Sequence, residues 1–396
     1  MTKLRILIVI ANYLPGTKSA GPVRTISNLV TCLGDHFEFR ILTSDHDIRD
    51  SSPYPDIESG IWYPVGNASV RYLSQTERRL LNIRSIINNE DFALLYLNGI
   101  YPTLTLKILL LRRMNLLKYA RVVIAPRGHI ERGALSLKPL KKRLFLTASR
   151  AVGLFHNIFW HAASETERED VLREFGPIPE SYVQVISNLV AIPLTQPGSV
   201  KQRKMTGNLH AIFLSRISRM KNLDYALKLL KSVHGDVEFD IYGPLEDMAY
   251  WAECQSLTQS LPQNVRVSYK GSVPPDEVVS VLSRYHLLLL PTLGENFGHI
   301  ILESLCAGCP VLISDQTPWN SVQNSGAGWA LPLDHPESFI DAIQKLIDAD
   351  EESITIMGKA ARDYSANYIR DTSSIEDTRR FFTELTNKSS HEPKPT

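Results

Sequence analysis

The amino-acid sequence predicts two α/β domains, each a doubly wound parallel sheet with helices on both faces. Two observations carry this. At 396 residues the chain exceeds what one hydrophobic core organises. Short apolar runs also alternate with helical patterns along its length, as expected of strands buried on both faces by crossover helices.

In the first half the runs are Leu4 to Ile10, Phe39 to Thr43, Leu94 to Leu97, Val122 to Ala125 and Asn157 to Ala162. Lys3 and Arg5 stand ahead of the apolar residues Ile6 to Ala11, yet these are too few for an export signal and lack a small-residue cleavage site, so they read as a strand. Leu104 to Leu117 is interrupted by Lys107, Arg112 and Arg113, which leaves it short of the roughly 20 apolar residues of a spanning helix. Residues 191–209 contain Pro193, Pro197, Gly198 and Gly207 with little apolar periodicity, so they are expected to link a domain at 1–190 to one at 210–368.

The second half repeats the pattern with Ala211 to Ser215, Glu238 to Tyr242, Val265 to Tyr269, Leu287 to Leu290 and Pro310 to Ile313. Residues 369–386 hold one more helix, which could cross back to the first domain. The polar segment 387–396, with two prolines, is expected to be a flexible tail.

A net charge of +1 argues against a protein that coats nucleic acid, which needs a large basic excess. Four scattered cysteines without an export signal fit a reducing cytoplasm better than a disulfide framework. Cys306 and Cys309 have no second pair at zinc spacing and read as small buried residues. Asp45-His46-Asp47 and Asp348-Ala349-Asp350 each spell D-x-D without further ligands nearby, so no metal site is expected.

In doubly wound sheets ligands bind beyond the carboxyl ends of the strands, and two such domains facing each other would enclose a cleft. The most informative strand end is Leu287 to Pro291, whose loop carries Glu295 ahead of a helix that begins near Phe297 and contains Glu303. Within one helix these carboxylates would be offset by about 80°. With Glu295 in the loop, both can face one ligand and accept hydrogen bonds from vicinal hydroxyls of a sugar or ribose. The amides near Phe297, Gly298 and His299 would point an anion-binding helix N-terminus at the same place. The plainer alternative is a helix with an acidic first turn and a stray internal Glu.

Arg216 and Lys221 follow the strand that ends near Ser215 and precede a helix, so two cations and helical amides suit a diphosphate; ordinary surface cations are the alternative. Arg219 could substitute for either. The small-residue loop Asn12 to Pro22, containing Gly21, follows the first strand but matches no nucleotide fingerprint. Arg127-Gly128-His129-Ile-Glu131 follows the fourth run and places His129 where it could face the cleft. The cations Lys138, Lys141, Lys142 and Arg143 come next, as a solvated helix face or as an attraction to anionic lipid head groups.

Together these residues resemble the retaining glycosyltransferases of the two-Rossmann-domain architecture called GT-B, family 4. The E-x7-E hallmark stands as Glu295 to Glu303, followed by Ala307-Gly-Cys-Pro-Val311, and the Arg and Lys five apart are Arg216 and Lys221. Ile241 to Asp247 with Tyr250-Trp251, Lys270 to Pro274 and Ala163 to Glu167 are further matches, and the resemblance covers nearly the whole chain. It implies transfer of a hexose or N-acetylhexosamine from a nucleotide-diphosphate sugar, without a metal cofactor.

The same resemblance assigns the diphosphate to Arg216 and Lys221, ribose hydroxyls to Glu303 and sugar hydroxyls to Glu295. It places the amides from Phe297 through Gly298 and His299 to Ile300 on sugar and phosphate, Gly271 beside the base, and Gly21 against the diphosphate from the other domain. His129 stands near a family histidine that contacts the donor sugar. Arg127 and Glu131 fall on the acceptor side.

Ser215 in place of glycine, Gly21-Pro22 in place of two glycines, and Asn188-Leu189 in place of Asn-Gly depart from the family pattern. The acceptor implied is a glycan or lipid-linked saccharide of surface-polysaccharide assembly, met at the cytoplasmic face of a membrane, with no nucleic-acid partner. An epimerase or phosphorylase of the same architecture, or a silent nucleotide-sugar-binding scaffold, are the alternatives.

Overall fold

The computed structural model describes residues 3–16, 18, 20–48, 50–118, 121–130, 139–191 and 203–387, without the side chains of residues 20, 139, 141 and 387. Residues 192–202 of the linker expected at 191–209, residues 388–396 of the tail expected at 387–396, Glu131 and Lys138 lie outside these residues. The chain divides into two compact units, Met1–Ala191 with Thr372–Thr396, and Ile192–Asp371.

In the first unit the chain runs β1 (Leu4–Val9), α1 (Ala20–Leu33), β2 (Phe37–Ser44), β3 (Trp62–Val65), β4 (Ala68–Leu73), α2 (Leu80–Asn89), β5 (Leu94–Asn98) and α3 (Thr103–Arg113). It continues β6 (Arg121–Ala125), α4 (Pro139–Ala151), β7 (Phe159–Ala162), α5 (Glu165–Phe175) and β8 (Val183–Val185). The eight strands lie in the order β3-β4-β2-β1-β5-β6-β7-β8. All neighbours are parallel except β3 and β4, which form an antiparallel hairpin pairing Trp62 with Arg71. The sheet is therefore mixed, where the sequence pattern predicts a parallel one.

Alternation within the strands explains the layers. Leu7, Val9, Leu95, Leu97, Val122 and Ile124 pack on one face with residues of α2, α3 and α5. Ile6, Ile8, Leu94, Tyr96 and Val123 pack on the other with α1. Because both faces are covered, the strands read as continuous apolar runs.

The second unit runs β9 (Asn208–Leu214), α6 (Leu223–Leu229), β10 (Asp236–Tyr242), α7 (Met248–Gln259), β11 (Val265–Gly271), α8 (Val278–Leu282), β12 (Leu287–Leu290) and α9 (His299–Cys306). Then come β13 (Val311–Ser314), β14 (Gly328–Leu331), α10 (Pro336–Asp348) and α11 (Glu351–Arg370). Its strand order is β11-β10-β9-β12-β13-β14, parallel throughout. The strand order reverses at β9 and β12, so the loops after these strands flank a topological switch point, where such sheets place ligands.

Lys204, which is 3% exposed, donates its ammonium hydrogens to the carbonyls of Met205, Ile347 and Ala349. It thereby satisfies acceptors left open at the end of α10. The last helix, α12 (Ser373–Asn387), belongs to the first unit, where Phe381, Phe382 and Leu385 enter the core beside α1 and β5. Among the described residues no helix is long and apolar enough to cross a membrane.

Candidate active site

The turn after β9 and the loop after β12 are stitched together by three hydrogen bonds. The Leu293 amide (2.8 Å) and the Thr292 hydroxyl (3.0 Å) both donate to the Met220 carbonyl, and the Asn222 amide group donates to the Pro291 carbonyl at 2.9 Å. Asn222 adopts a left-handed conformation, φ 60°, between the short 3-10 turn Arg219–Lys221 and α6. The stitching brings Lys221, from one strand end, against Glu295, from the next: the ammonium donates to the carboxylate, and each side chain is 11% exposed. The Glu295 amide in turn donates to the Gln316 carbonyl at 3.0 Å, which ties this loop to the one after β13.

Helix α9 begins at His299, two residues later than the sequence pattern suggests, because Gly298 takes the N-cap position at φ 78°. A Cβ there would lie 2.8 Å from the Ile301 side chain, so the site is fitted to glycine. Phe297 is buried, and its carbonyl accepts from the indole N–H of Trp319, which is 2% exposed. The Trp319 ring packs 5.4 Å from Phe297 and 4.8 Å from Tyr368 of α11. The first helical bonds run from Ile301 and Leu302 to the Gly298 carbonyl, so the amides of His299 and Ile300 precede the ladder at the positive end of the helix. Glu303, 3% exposed, stands inside α9. Glu295 therefore lies in the loop and Glu303 in the helix.

Arg216 is half-exposed and pairs with Glu246 at 2.5 Å. Arg219 pairs with Glu253 and lies 5.1 Å over the Tyr250 ring. Ser215 and Gly243 sit at adjacent strand ends; a Cβ on Gly243 would strike the Ser215 carbonyl. Gly271 closes β11 at φ 81° with open space where a side chain would be.

In the first unit, Gly21 lies in the opening turn of α1, exposed and with nothing near its missing Cβ. His129 accepts a hydrogen bond at Nδ1 from the Ile100 amide (3.2 Å) and stacks on Tyr101 at 5.4 Å. Burial pushes its pKa down to about 4, assisted by the charges of Lys142 and Arg127. The ring is thus neutral near pH 7 and carries its proton on Nε2. Arg127 turns inward, toward Asn98, Tyr96 and Asn188. The D-x-D carboxylates Asp45 and Asp47 are buried and accept hydrogen bonds from Ser59 and from the Lys18 and Ile48 amides. Among the described residues no group of three or more His, Cys, Asp or Glu side chains could hold a metal ion.

Residues 199–364 match the family model for glycosyl transferases group 1. The second unit carries a group 1 glycosyltransferase domain. The match takes in Arg216, Lys221, Glu295, Glu303 and Trp319. Over 217 residues the chain is 26% identical to a D-inositol 3-phosphate glycosyltransferase of Corynebacterium diphtheriae, covering 51% of this chain and 50% of that protein. The chain thus spans about half the length of the curated relatives it matches first.

Among solved structures it is similar to sucrose-phosphate synthase from Thermosynechococcus elongatus, with a TM-score of 0.73, 14% identity, and 97% and 100% of the two chains covered. It is also similar to Anabaena HepE in complex with UDP-glucose, with a TM-score of 0.68, 14% identity, and coverage of 97% and 99%. At these identities the likeness concerns the fold, which is that of GT-B glycosyltransferases with mixed and parallel sheets.

Sequence reasoning passed over the residues that hold these loops together. Asn222, Thr292 and Trp319 bond to backbone carbonyls of segments far along the chain, and no periodic pattern announces such bonds. A tryptophan in a polar loop, Thr317-Pro-Trp319, was the available signal for the last.

Proposed function

We propose that this chain transfers a hexose or N-acetylhexosamine from a nucleoside-diphosphate sugar to a glycan or lipid-linked saccharide acceptor, with retention of configuration. The observation that carries the reading is the Lys221–Glu295 pair in the loops at the ends of β9 and β12, ahead of the amide turn that opens α9, with Glu303 buried within that helix. A cation, helix amides and two carboxylates at neighbouring strand ends meet the needs of a sugar diphosphate: positive groups for the phosphates and acceptors for the hydroxyls.

In the reaction the bond between the anomeric carbon and the diphosphate oxygen breaks, and a bond from the acceptor oxygen to that carbon forms on the same face. The acceptor proton passes to the departing phosphate. Positive charge develops on the sugar and negative charge on the diphosphate, where Lys221, Arg216 and the amides of Gly298, His299 and Ile300 are preorganised. Glu295 takes hydroxyls of the transferred sugar and Glu303 those of the ribose, while Gly271 leaves room for the base. His129, neutral, donates a hydrogen bond to the sugar instead of exchanging a proton, and Gly21 lets the diphosphate approach closely. These cations make a metal ion unnecessary for charge neutralisation. That Anabaena HepE was solved with UDP-glucose supports a uridine donor among the nucleotides to try.

The acceptor is met at the cytoplasmic face of a membrane. Supporting this, α4 exposes Leu140 (82%) and Leu144 (72%), one helical turn apart, beside the half-buried Lys142 and the exposed Arg143. The test is transfer from radiolabelled UDP-, GDP- and ADP-sugars to a lipid-linked saccharide extract. The wild type should form product with one donor and K221A should not; equal transfer by folded K221A would overturn the assignment.

A further inference from the structure

We propose that Arg127 is a positioning residue, one that locks the turn carrying His129 so that its Nε2–H is presented to a ligand hydroxyl; this rests on the role given to His129 above. Arginine rarely adopts a left-handed backbone, yet Arg127 has φ 59° and is followed by Gly128 at φ 72°. The side chain holds the backbone there. Nε donates to the Asn98 Oδ1 and Nη2 to the Tyr96 Oη, each at 2.8 Å, and Nη1 donates to the Asn188 Oδ1. One guanidinium thus joins the ends of β5 and β6 to the segment after β8.

The far side of the turn is fixed as well. Glu167, 1% exposed at the start of α5, accepts from the Gly128 amide and the Ala163 amide, both at 2.7 Å. The Tyr96 hydroxyl passes its own hydrogen to His161 Nδ1 at 2.8 Å, and His161 Nε2 donates to the Ile186 carbonyl at 3.0 Å. Every donor in this chain has one direction, from Arg127 through Tyr96 and His161 to Ile186, so the guanidinium cannot rotate without breaking the series.

What the lock sets is the relation between two loops. The Gly99 amide donates to the Ala125 carbonyl at 2.8 Å, and the next amide, of Ile100, donates to His129 Nδ1. A Cβ on Gly99 would come within 2.7 Å of the His129 ring, so the imidazole lies directly on that loop. Displacing the 126–130 turn would remove the Ile100 bond and with it the preference for the Nε2–H form. Among the described residues no acceptor takes that hydrogen.

A double-mutant cycle tests this, with kcat/KM for the donor as the readout and thermal melting as the check on folding. H129A should lower kcat/KM by about 10- to 100-fold, and R127M by a similar factor, the scale expected when a contact group is lost or displaced. R127M/H129A should be no worse than H129A within about twofold, because Arg127 acts only through His129. R127K keeps the charge but cannot reach three acceptors, so it should resemble R127M. If R127M does not fold, N98A removes a single acceptor and should show the same coupling. Losses that multiply in the double variant would overturn the inference while leaving His129 in its role. Wild-type activity of H129A would overturn that role, and the inference with it.

Discussion

The Lys221 ammonium donates to the Glu295 carboxylate across two neighbouring strand ends of the second unit, with both side chains mostly buried. Each charge compensates the other before any ligand arrives. Removing one partner leaves a desolvated charge, whereas removing both does not. K221M should therefore lower stability by about 2 kcal/mol, or roughly 5 °C in Tm, and K221M/E295L should recover most of that loss. Neither variant should transfer sugar. Thermal melting alongside the transfer assay separates the structural from the catalytic part of the pair.

Trp319 supports the other half of this site through one hydrogen bond to the Phe297 carbonyl. W319F keeps an aromatic ring near Tyr368 while it removes the N–H donor together with part of the indole's volume. A buried carbonyl left unpaired costs about 1 to 2 kcal/mol, so Tm should fall by a few degrees. Because the amides of Gly298 and His299 follow directly, KM for the donor should rise more than kcat falls. Steady-state kinetics with the preferred donor would show it.

Much of this architecture was legible in the sequence, and the exceptions share a cause. Leu287–Leu290 is a buried parallel strand with no polar residue, and its bounds are those predicted. The hairpin of β3 and β4 was not foreseen, because Trp62-Tyr-Pro-Val65 contains a proline and carries partly exposed residues on an edge strand. β14 opens with Gly328 and β8 has three residues, too few to show a period. At the site, residue types near strand ends pointed to Lys221, Glu295 and Glu303. Their partners were hidden, since the Arg127 contacts join positions 29 to 61 residues apart. Periodicity reports which face is buried and says nothing of such bonds.

His161 makes the first unit sensitive to acid. Burial beside Arg127 pushes its pKa down to about 3, against an ordinary value near 6.5. Its stabilising effect is complete above pH 6.5. As pH falls from there toward 3, the unfolded chain binds a proton that the folded one refuses, at about 1.4 kcal/mol per pH unit. Urea unfolding at pH 6.5 and pH 5 should show a loss about 2 kcal/mol smaller in H161Q than in the wild type. An equal loss in the two proteins would mean that His161 is not held neutral.

Chelation offers a separate check on how the diphosphate is neutralised. With Arg216 and Lys221 in that role, an excess of EDTA should leave the transfer rate unchanged. A loss restored by magnesium or manganese would contradict that role.

The central claim is that the second unit holds a nucleoside diphosphate through Lys221 and the turn before α9. Isothermal titration of UDP, GDP and ADP into the wild type and into K221A tests it most directly. One of the three should bind the wild type, and K221A should bind that nucleotide at least about tenfold more weakly, a difference of about 1.4 kcal/mol. Binding of none of them, or equal affinity in folded K221A, would contradict the account.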